Sequence, residues 1–401
     1  MPRADHPPPR RRRVALLVET SLGSGREILR GIAKFAHQTD GWQLFHVPRG
    51  LAEEPPSWLN EWRGDGIIAR VQDATVAQAV LRRRLPAVDV LGVVENSGIP
   101  LVHVNDRAVA AELARYYQER GFRRFGYYGI SRENWSEKRR DAFRDEVGCA
   151  PADFYSLESP RSDAEGSPDQ IAELRRWVRT IPKPAGIMVC SDQRALALLE
   201  ACRSEGVAVP EELAVVGVDN DVPLCEIATP PLSSVRAGHY RVGFEAAALL
   251  HELMAGRPAP QHQILVPPTG IVVRQSSSAR AIEDAVVARG IRFVAEHLGE
   301  KLTIERVAAA AGVSRTLFQR RFRASQEGTI HEFILSQRLK RAESLLRNSA
   351  LTLAEIAQRA GFRHQEYMGA VFREKWGVTP ASIRRGVTPV ESAVEPAPDH
   401  R

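Results

Sequence analysis

The sequence predicts an open α/β body in two lobes with parallel sheets, followed by an all-α tail of two helix-turn-helix units in tandem. Three observations predict it. Short apolar runs alternate with amphipathic stretches from residue 14 to about residue 273. After Ser276-Ser277-Ser278 the strand signal stops and the pattern turns helical. Past Lys301 the chain repeats itself.

Residues 14–18 form the first apolar run, and Ile28, Ile32, Phe35 and Ala36 then recur at helical spacing. Residues 43–47 and 66–69 read as strands, 75–84 as a helix and 87–90 as a strand. Further strands are expected at 101–104, 125–128, 186–189 and 213–218, with helices such as 108–120 and 193–205 between them. Strict alternation means parallel strands joined by crossover helices. The series is too long for one sheet, so two lobes are expected. Such sheets bind ligands beyond the carboxyl ends of their strands.

In the repeat, residues 302–313 match residues 351–362 at an offset of 49, including Ala311-Gly312 against Ala360-Gly361. The second helices end in Phe322-Arg323 and Phe372-Arg373, an offset of 50, so the second copy has one extra residue in or before its second helix. Chance does not produce a duplication this close. Thr303 is a helix cap, and Val307, Ala308 and Ala311 share one face. Gly312 stands where a left-handed turn residue is needed, Ser314 caps the next helix, and Phe318 and Phe322 lie four apart on its inner face. Helix, glycine turn and capped second helix make the helix-turn-helix pattern. Residues 329–347 read as one long connecting helix with Phe333, Ile334, Leu339, Leu345 and Leu346 inward.

The outer face of the second helix carries Arg315, Thr316, Gln319, Arg320 and Arg323. Arg pairs in bidentate fashion with guanine and Gln with adenine in the major groove, while Arg321 and Arg323 are assigned to phosphates. The second copy exposes His364, Gln365 and Glu366, with Met368, Val371 and Phe372 inward. A solvated basic face is the alternative, but the charge distribution favours DNA. Residues 281–385 hold eighteen Lys and Arg against eleven Asp and Glu, a net of +7 in a chain of +6. The polyanion partner therefore belongs to the C-terminal part alone.

Other classes find little support. The four cysteines and eleven histidines show no metal spacing, so neither metal nor cofactor is expected. Gly23-Ser24-Gly25 lacks the third glycine and the acidic partner of a nucleotide-binding turn. No Walker sequence, G-x-S-x-G or H-E-x-x-H occurs, so a sugar- or nucleotide-dependent enzyme is the disfavoured reading. No apolar run approaches the roughly 18 residues of a membrane span. Residues 14–18 are too short for a signal-peptide core, and the cysteine usage suits a reducing cytoplasm.

The tail resembles the arabinose-regulator (AraC) family of transcription factors. The resemblance rests on Gly312-Val313-Ser314, Phe318-Gln319-Arg320-Arg321-Phe322, Ile356-Ala357, Gly361-Phe362 and the run of residues 372–380, and covers nearly all of 286–385. It implies base contacts by Thr316, Gln319 and Arg320. Gly369-Ala370 stands where the family has a small polar and a basic residue, His364 replaces a serine cap and Ile383 a tyrosine. The second unit therefore looks more like a clamp than a reader.

The body, residues 14–274, resembles the effector domain of lactose-repressor (LacI) type regulators, which shares its fold with periplasmic sugar-binding proteins. The carrying stretches are residues 104–106, 122–129, 190–195, 209–220, 230–235 and 265–268. An Arg-rich segment precedes it where those regulators carry their own helix-turn-helix. This effector domain joined to an AraC-type module is the layout of the xylose-operon activators. The resemblance implies a periplasmic-binding-protein-like fold, a sugar effector such as a pentose, operator DNA, a homodimer and activation through contact with RNA polymerase. A different small ligand in the same architecture stays open.

A sugar asks for carboxylates, amides, Arg and an aromatic face. Asn105 and Asp106, Asp192, and Asp219 and Asn220 fall just after strand ends. Arg139 matches the arginine these domains use on ligand, and Trp135 offers a stacking face. The ligand set is thus Asp106, Trp135, Arg139, Asp192, Asp219 and Asn220. Asp192 can also be read as a helix cap, and Arg139 as a surface ion pair; Glu19 and Arg26 read better as structural residues. The expected layout is a disordered tail at 1–13, a two-lobed effector domain at 14–276 and a linker at 277–285. The DNA-binding domain follows at 286–386, with a disordered tail at 387–401.

Overall fold

The computed structural model describes residues 11–39, 41–50, 53–160, 167–259, 263–282, 284–326 and 328–385. The chain divides into two units, Met1–Ala281 and Ile282–Arg401.

In the first unit the chain starts one lobe with β1 (Arg12–Leu17), α1 (Gly23–Thr39), β2 (Trp42–His46), β3 (Gly66–Ala69), α2 (Ala74–Leu81), β4 (Ala87–Asp89) and β5 (Leu101–Val104). It crosses into a second lobe through α3 (Asp106–Glu119). There it adds β6 (Phe125–Ser131), α4 (Asn134–Val147), β7 (Phe154–Pro160), α5 (Pro168–Thr180), β8 (Ala185–Val189), α6 (Asp192–Ser204), β9 (Leu213–Val218), α7 (Val222–Ile227) and β10 (Ser233–Val235). It returns through α8 (His239–Met254) and β11 (Gln263–Val266), and ends in the second lobe with β12 (Ile271–Val272). The first sheet has the order β11-β5-β4-β3-β1-β2 and is parallel throughout. The second has the order β12-β10-β9-β8-β6-β7, with β12 alone antiparallel.

Helices cover both faces of each sheet, so central strands are buried on both sides and read as unbroken apolar runs. Residues 125–130, 185–189 and 213–218 are buried at every position. Tyr117 of α3 anchors that helix on the second sheet, its hydroxyl donating to the Ile187 and Ala214 carbonyls at 2.8 and 2.9 Å.

Two boundaries differ from the sequence reading. Arg12 and Arg13, placed in a disordered tail, pair in β1 with Trp42 and Gln43. Strand pairing uses backbone, and both guanidiniums find partners: Arg12 donates to the His251 carbonyl, and Arg13 lies 5.2 Å from the Trp62 ring centroid. Ser277, placed in a linker, is fully buried in the first unit. The remaining tails, 1–10 and 386–401, lie outside the described residues. No helix of the described residues is long and apolar enough to cross a membrane.

The second unit is helical among its described residues: α9 (Ala285–Glu296), α10 (Ile304–Ala310), α11 (Arg315–Ser325), α12 (Ile330–Asn348), α13 (Leu353–Arg359), α14 (Gln365–Trp376) and α15 (Pro380–Arg384). Thr303 and Ser314 cap α10 and α11 as expected, and Thr329, Thr352 and Thr379 form capping boxes. Two cores result. Phe318 and Phe322 pack with Val287, Ile291 and Val307 in the first, and Phe372 and Trp376 with Ile356 and Met368 in the second. Helix α12 serves both, through Ile330 and Ile334 at one end and Leu339, Ala342 and Leu346 at the other. The extra residue of the second copy lies in the turn. Two residues separate Ala311 from Ser314, whereas three separate Ala360 from His364.

Candidate functional site

The two lobes of the first unit enclose a cleft of about 590 Å³. The first lobe supplies Ser24, Arg70, Leu91 and His103 to its wall. The second supplies Ile130, Trp135, Arg139, Asp192 and Asp219, and His239 enters where α8 begins. Of the six predicted ligand residues, four line this cleft: Trp135, Arg139, Asp192 and Asp219. Asp106 lies in an adjoining cavity of about 340 Å³ and reaches the cleft through its bond to Arg139. Asn220 does not line it; its side-chain oxygen accepts from Arg274 at 3.0 Å and its N–H donates to Ser234 Oγ at 2.9 Å.

Arg139 is no surface ion pair, being 3% exposed. Its Nε donates to Asp106 Oδ1 at 2.6 Å, its Nη1 to the Cys190 carbonyl at 2.6 Å, and its guanidinium carbon lies 4.9 Å from the Trp135 ring centroid. A buried guanidinium needs such partners to offset desolvation. Trp135 is itself held by its Nε1–H to Glu133 at 2.9 Å.

Asp192 is not the cap of α6; Ser191 is, its Oγ accepting from the Arg194 N–H. The Asp192 carboxylate instead ties the second lobe's loops together. It accepts from Ser234 Oγ at 2.6 Å and from the Asp221 N–H at 2.7 Å. Burial, and then the charge of Asp219, pushes its pKa well above the carboxylate range. Asp219 goes the other way. Burial works to raise it, but the hydrogen bond from His239 at 2.8 Å, with the charges of His239 and Arg139, holds it below the usual value. Asp219 and Asn220 have φ of +110° and +54°. Non-glycine residues in that region cost ~1–3 kcal/mol each and cluster at functional sites.

Three basic cleft residues escaped the sequence reading: Arg70, His103 and His239. Arg70 pairs with Glu19, which is 4% exposed and so holds Arg70 in place, the structural role expected of it. Arg26 reaches across the cleft mouth to Asp221. The signal for His103 was its place two residues before the strand-end pair Asn105 and Asp106; for His239 it was the preceding Gly238, which has φ +92°.

In the second unit, α11 presents Thr316, Arg320 and Arg323 exposed and Gln319 half-buried. Arg315 is exposed and paired with Glu305 at 2.6 Å. Arg321, assigned above to a phosphate, is engaged within the protein. It donates to Asp284 at 2.6 Å, and Asp284 also caps α9. On α14, His364 occupies the cap position without a side-chain bond, and Gln365 donates to Glu366 at 3.2 Å. Tyr367, which the sequence reading passed over, is 52% exposed beside them.

Residues 13–105 match the family described as XylR N-terminal domain, 114–277 the periplasmic binding protein-like domain, and 307–386 a helix-turn-helix domain. The xylose operon regulatory protein of Escherichia coli K12 is 29% identical over 386 residues, covering 94% of this chain and 97% of that protein. That of Haemophilus influenzae is 27% identical over 380 residues, covering 93% and 98%. A solved structure described as the xylose-binding transcription activator XylR superposes with a TM-score of 0.76 at 28% identity, over 94% of this chain and 98% of that one. A LacI-family regulator from Mycobacterium smegmatis, at 19% identity and a TM-score of 0.54, shares the fold over 67% of this chain. The chain is therefore a homologue of the xylose operon regulatory proteins, a transcription regulator that joins their N-terminal domain and a periplasmic-binding-protein-like domain to an AraC-type helix-turn-helix module.

Proposed function

We propose that this regulator is sugar-responsive: its interlobe cleft binds a monosaccharide, a pentose such as xylose, and its helical tail binds operator DNA through the major groove. The carrying observation is the buried Arg139, clamped by Asp106 and the Cys190 carbonyl and set over Trp135 at the cleft wall. A fixed donor beside an aromatic face, in a cleft that Asp219 also lines, suits a neutral, hydroxyl-covered ring. The relatives named for the xylose operon support the pentose, and the activator among the solved structures supports activation; RNA polymerase is the partner that activation would call for. A cytoplasmic homodimer completes the reading. Residues 12–277 form the effector domain and 285–385 the DNA-binding domain, with Arg315, Thr316, Gln319, Arg320 and Arg323 as the principal contacts and His364, Gln365 and Glu366 in a secondary role.

Sugar binding favours one arrangement of a pre-existing equilibrium. Helix α3 offers the route out of the cleft. It starts at Asp106, bonded to Arg139. Near its end the Tyr116 hydroxyl donates to the Ser277 carbonyl at 2.9 Å, and the Arg120 carbonyl accepts from the Ala281 N–H at 3.0 Å. A shift of Asp106 is thereby passed along a rigid helix to the segment that leads into the second unit.

Calorimetry of the full chain against D-xylose, L-arabinose, D-ribose and D-glucose tests the reading. Binding of one sugar at micromolar to millimolar strength is expected; silence for all of them overturns the sugar-sensor assignment.

A further inference from the structure

His103 sits at the end of β5, 8% exposed, and borders both the cleft and the adjoining cavity. Its Nδ1 lies 3.3 Å from the Val90 carbonyl oxygen. A carbonyl only accepts, so Nδ1 carries the proton. In a neutral imidazole that makes Nε2 an acceptor. Burial pulls the ring's pKa down to about 4, so the neutral form prevails near pH 7. Yet Nε2 is buried and has no hydrogen-bond partner among the described residues. Asp106 Oδ2 stands 3.7 Å away and is itself an acceptor. Two acceptors thus face each other at the border of the cleft and the adjoining cavity, and what is missing between them is a donor. Most buried polar side-chain atoms have a partner, and an unpartnered one beside a cleft asks for an explanation.

We propose that His103 is a specificity-determining residue, its Nε2 accepting the proton of one hydroxyl of the bound sugar. This rests on the sugar-sensor reading and sharpens it, because it predicts that one particular hydroxyl is read by an uncharged acceptor. A site built to bond a hydroxyl discriminates strongly against the analogue lacking it.

The test uses the full chain, the sugar from the panel that binds it, and the deoxy analogues of that sugar, followed by calorimetry. In the wild type one deoxy analogue should bind at least about tenfold more weakly than its parent. In His103→Leu, which keeps the volume and loses the acceptor, parent and that analogue should bind equally. In His103→Gln, whose carboxamide oxygen reaches a similar position, part of the difference should return. If the Leu variant fails to fold, His103→Met, which also lacks a strong acceptor, takes its place, and a wild type that binds every deoxy analogue as tightly as the parent overturns the role by itself. An unchanged ratio of parent to analogue in the variant lacking the acceptor overturns the role of His103. A wild type that binds no sugar overturns the parent reading instead, and the two failures cannot be confused.

Discussion

Arg26 on α1 and Asp221 ahead of α7 meet at 3.2 Å and join the lobes across the mouth of the cleft. The pair is unequal, with the arginine side chain 46% exposed and the aspartate 11%. Exposed pairs contribute ~0–1 kcal/mol and are screened by salt. Arg26→Ala should therefore weaken sugar binding by less than about fivefold, and the loss should shrink as salt rises. Calorimetry at low and high salt checks this; a loss of two orders of magnitude would place Arg26 on the ligand.

Asp192 should behave as a structural carboxyl whose charge is dispensable. It is 1% exposed, accepts from Ser234 and Asp221, and has a pKa pushed up by burial. Asp192→Asn preserves one acceptor for the Asp221 N–H and one group for Ser234, so stability should change by no more than about 1 kcal/mol. Asp192→Ala leaves both donors buried and unanswered and should cost ~1–3 kcal/mol more. Denaturant unfolding of the two variants gives the comparison.

The turn glycines of the two helix-turn-helix units should not be equally replaceable. Both adopt left-handed conformations, Gly312 at φ +76° and Gly361 at φ +84°. A Cβ on Gly312 meets nothing within 4 Å, whereas one on Gly361 falls 2.0 Å from the Leu298 carbonyl oxygen. Gly312→Ala should cost ~1–2 kcal/mol from the backbone alone. Gly361→Ala adds a clash with backbone and should cost ~3 kcal/mol or more. Thermal unfolding separates them, and equal costs would contradict the packing of the Gly361 turn against that carbonyl.

Arg320→Ala should weaken operator binding by ~1–3 kcal/mol and relax sequence preference at one position. Gly369→Ala, with open space around its Cβ, should leave operator affinity unchanged while raising stability by ~0.5–1 kcal/mol. Fluorescence anisotropy on operator and scrambled DNA measures both. An Arg320 variant that binds both DNAs like the wild type would remove α11 from the reading face.

Local interactions are legible in the amino-acid pattern and long-range ones are not. The α/β alternation, the duplicated unit and the caps at Thr303 and Ser314 are local and could be read directly. So could Asp219, because strand ends in such sheets face the ligand. Arg70, His103 and His239 could not. They meet only because β3, β5 and the start of α8 converge at the crossings between the lobes, and the neighbours Asn105 and Gly238 mark at most a strand end and a turn, not a shared cleft. Asn220 misled for a related reason: its neighbour faces the cleft, but the left-handed turn directs Asn220 itself to Arg274. Arg321 misled because Asp284, its partner, lies 37 residues away in sequence.

Helix α3 begins at a cleft arginine's partner and ends on the segment leaving the first unit. Thermodynamic linkage makes such a connection run both ways. Whatever factor the sugar adds to operator affinity, the operator must add to sugar affinity. A regulator seated on its promoter would then sense a lower sugar concentration than the same molecule free in solution. Its response threshold would depend on how many operator copies the cell holds, as well as on the cleft.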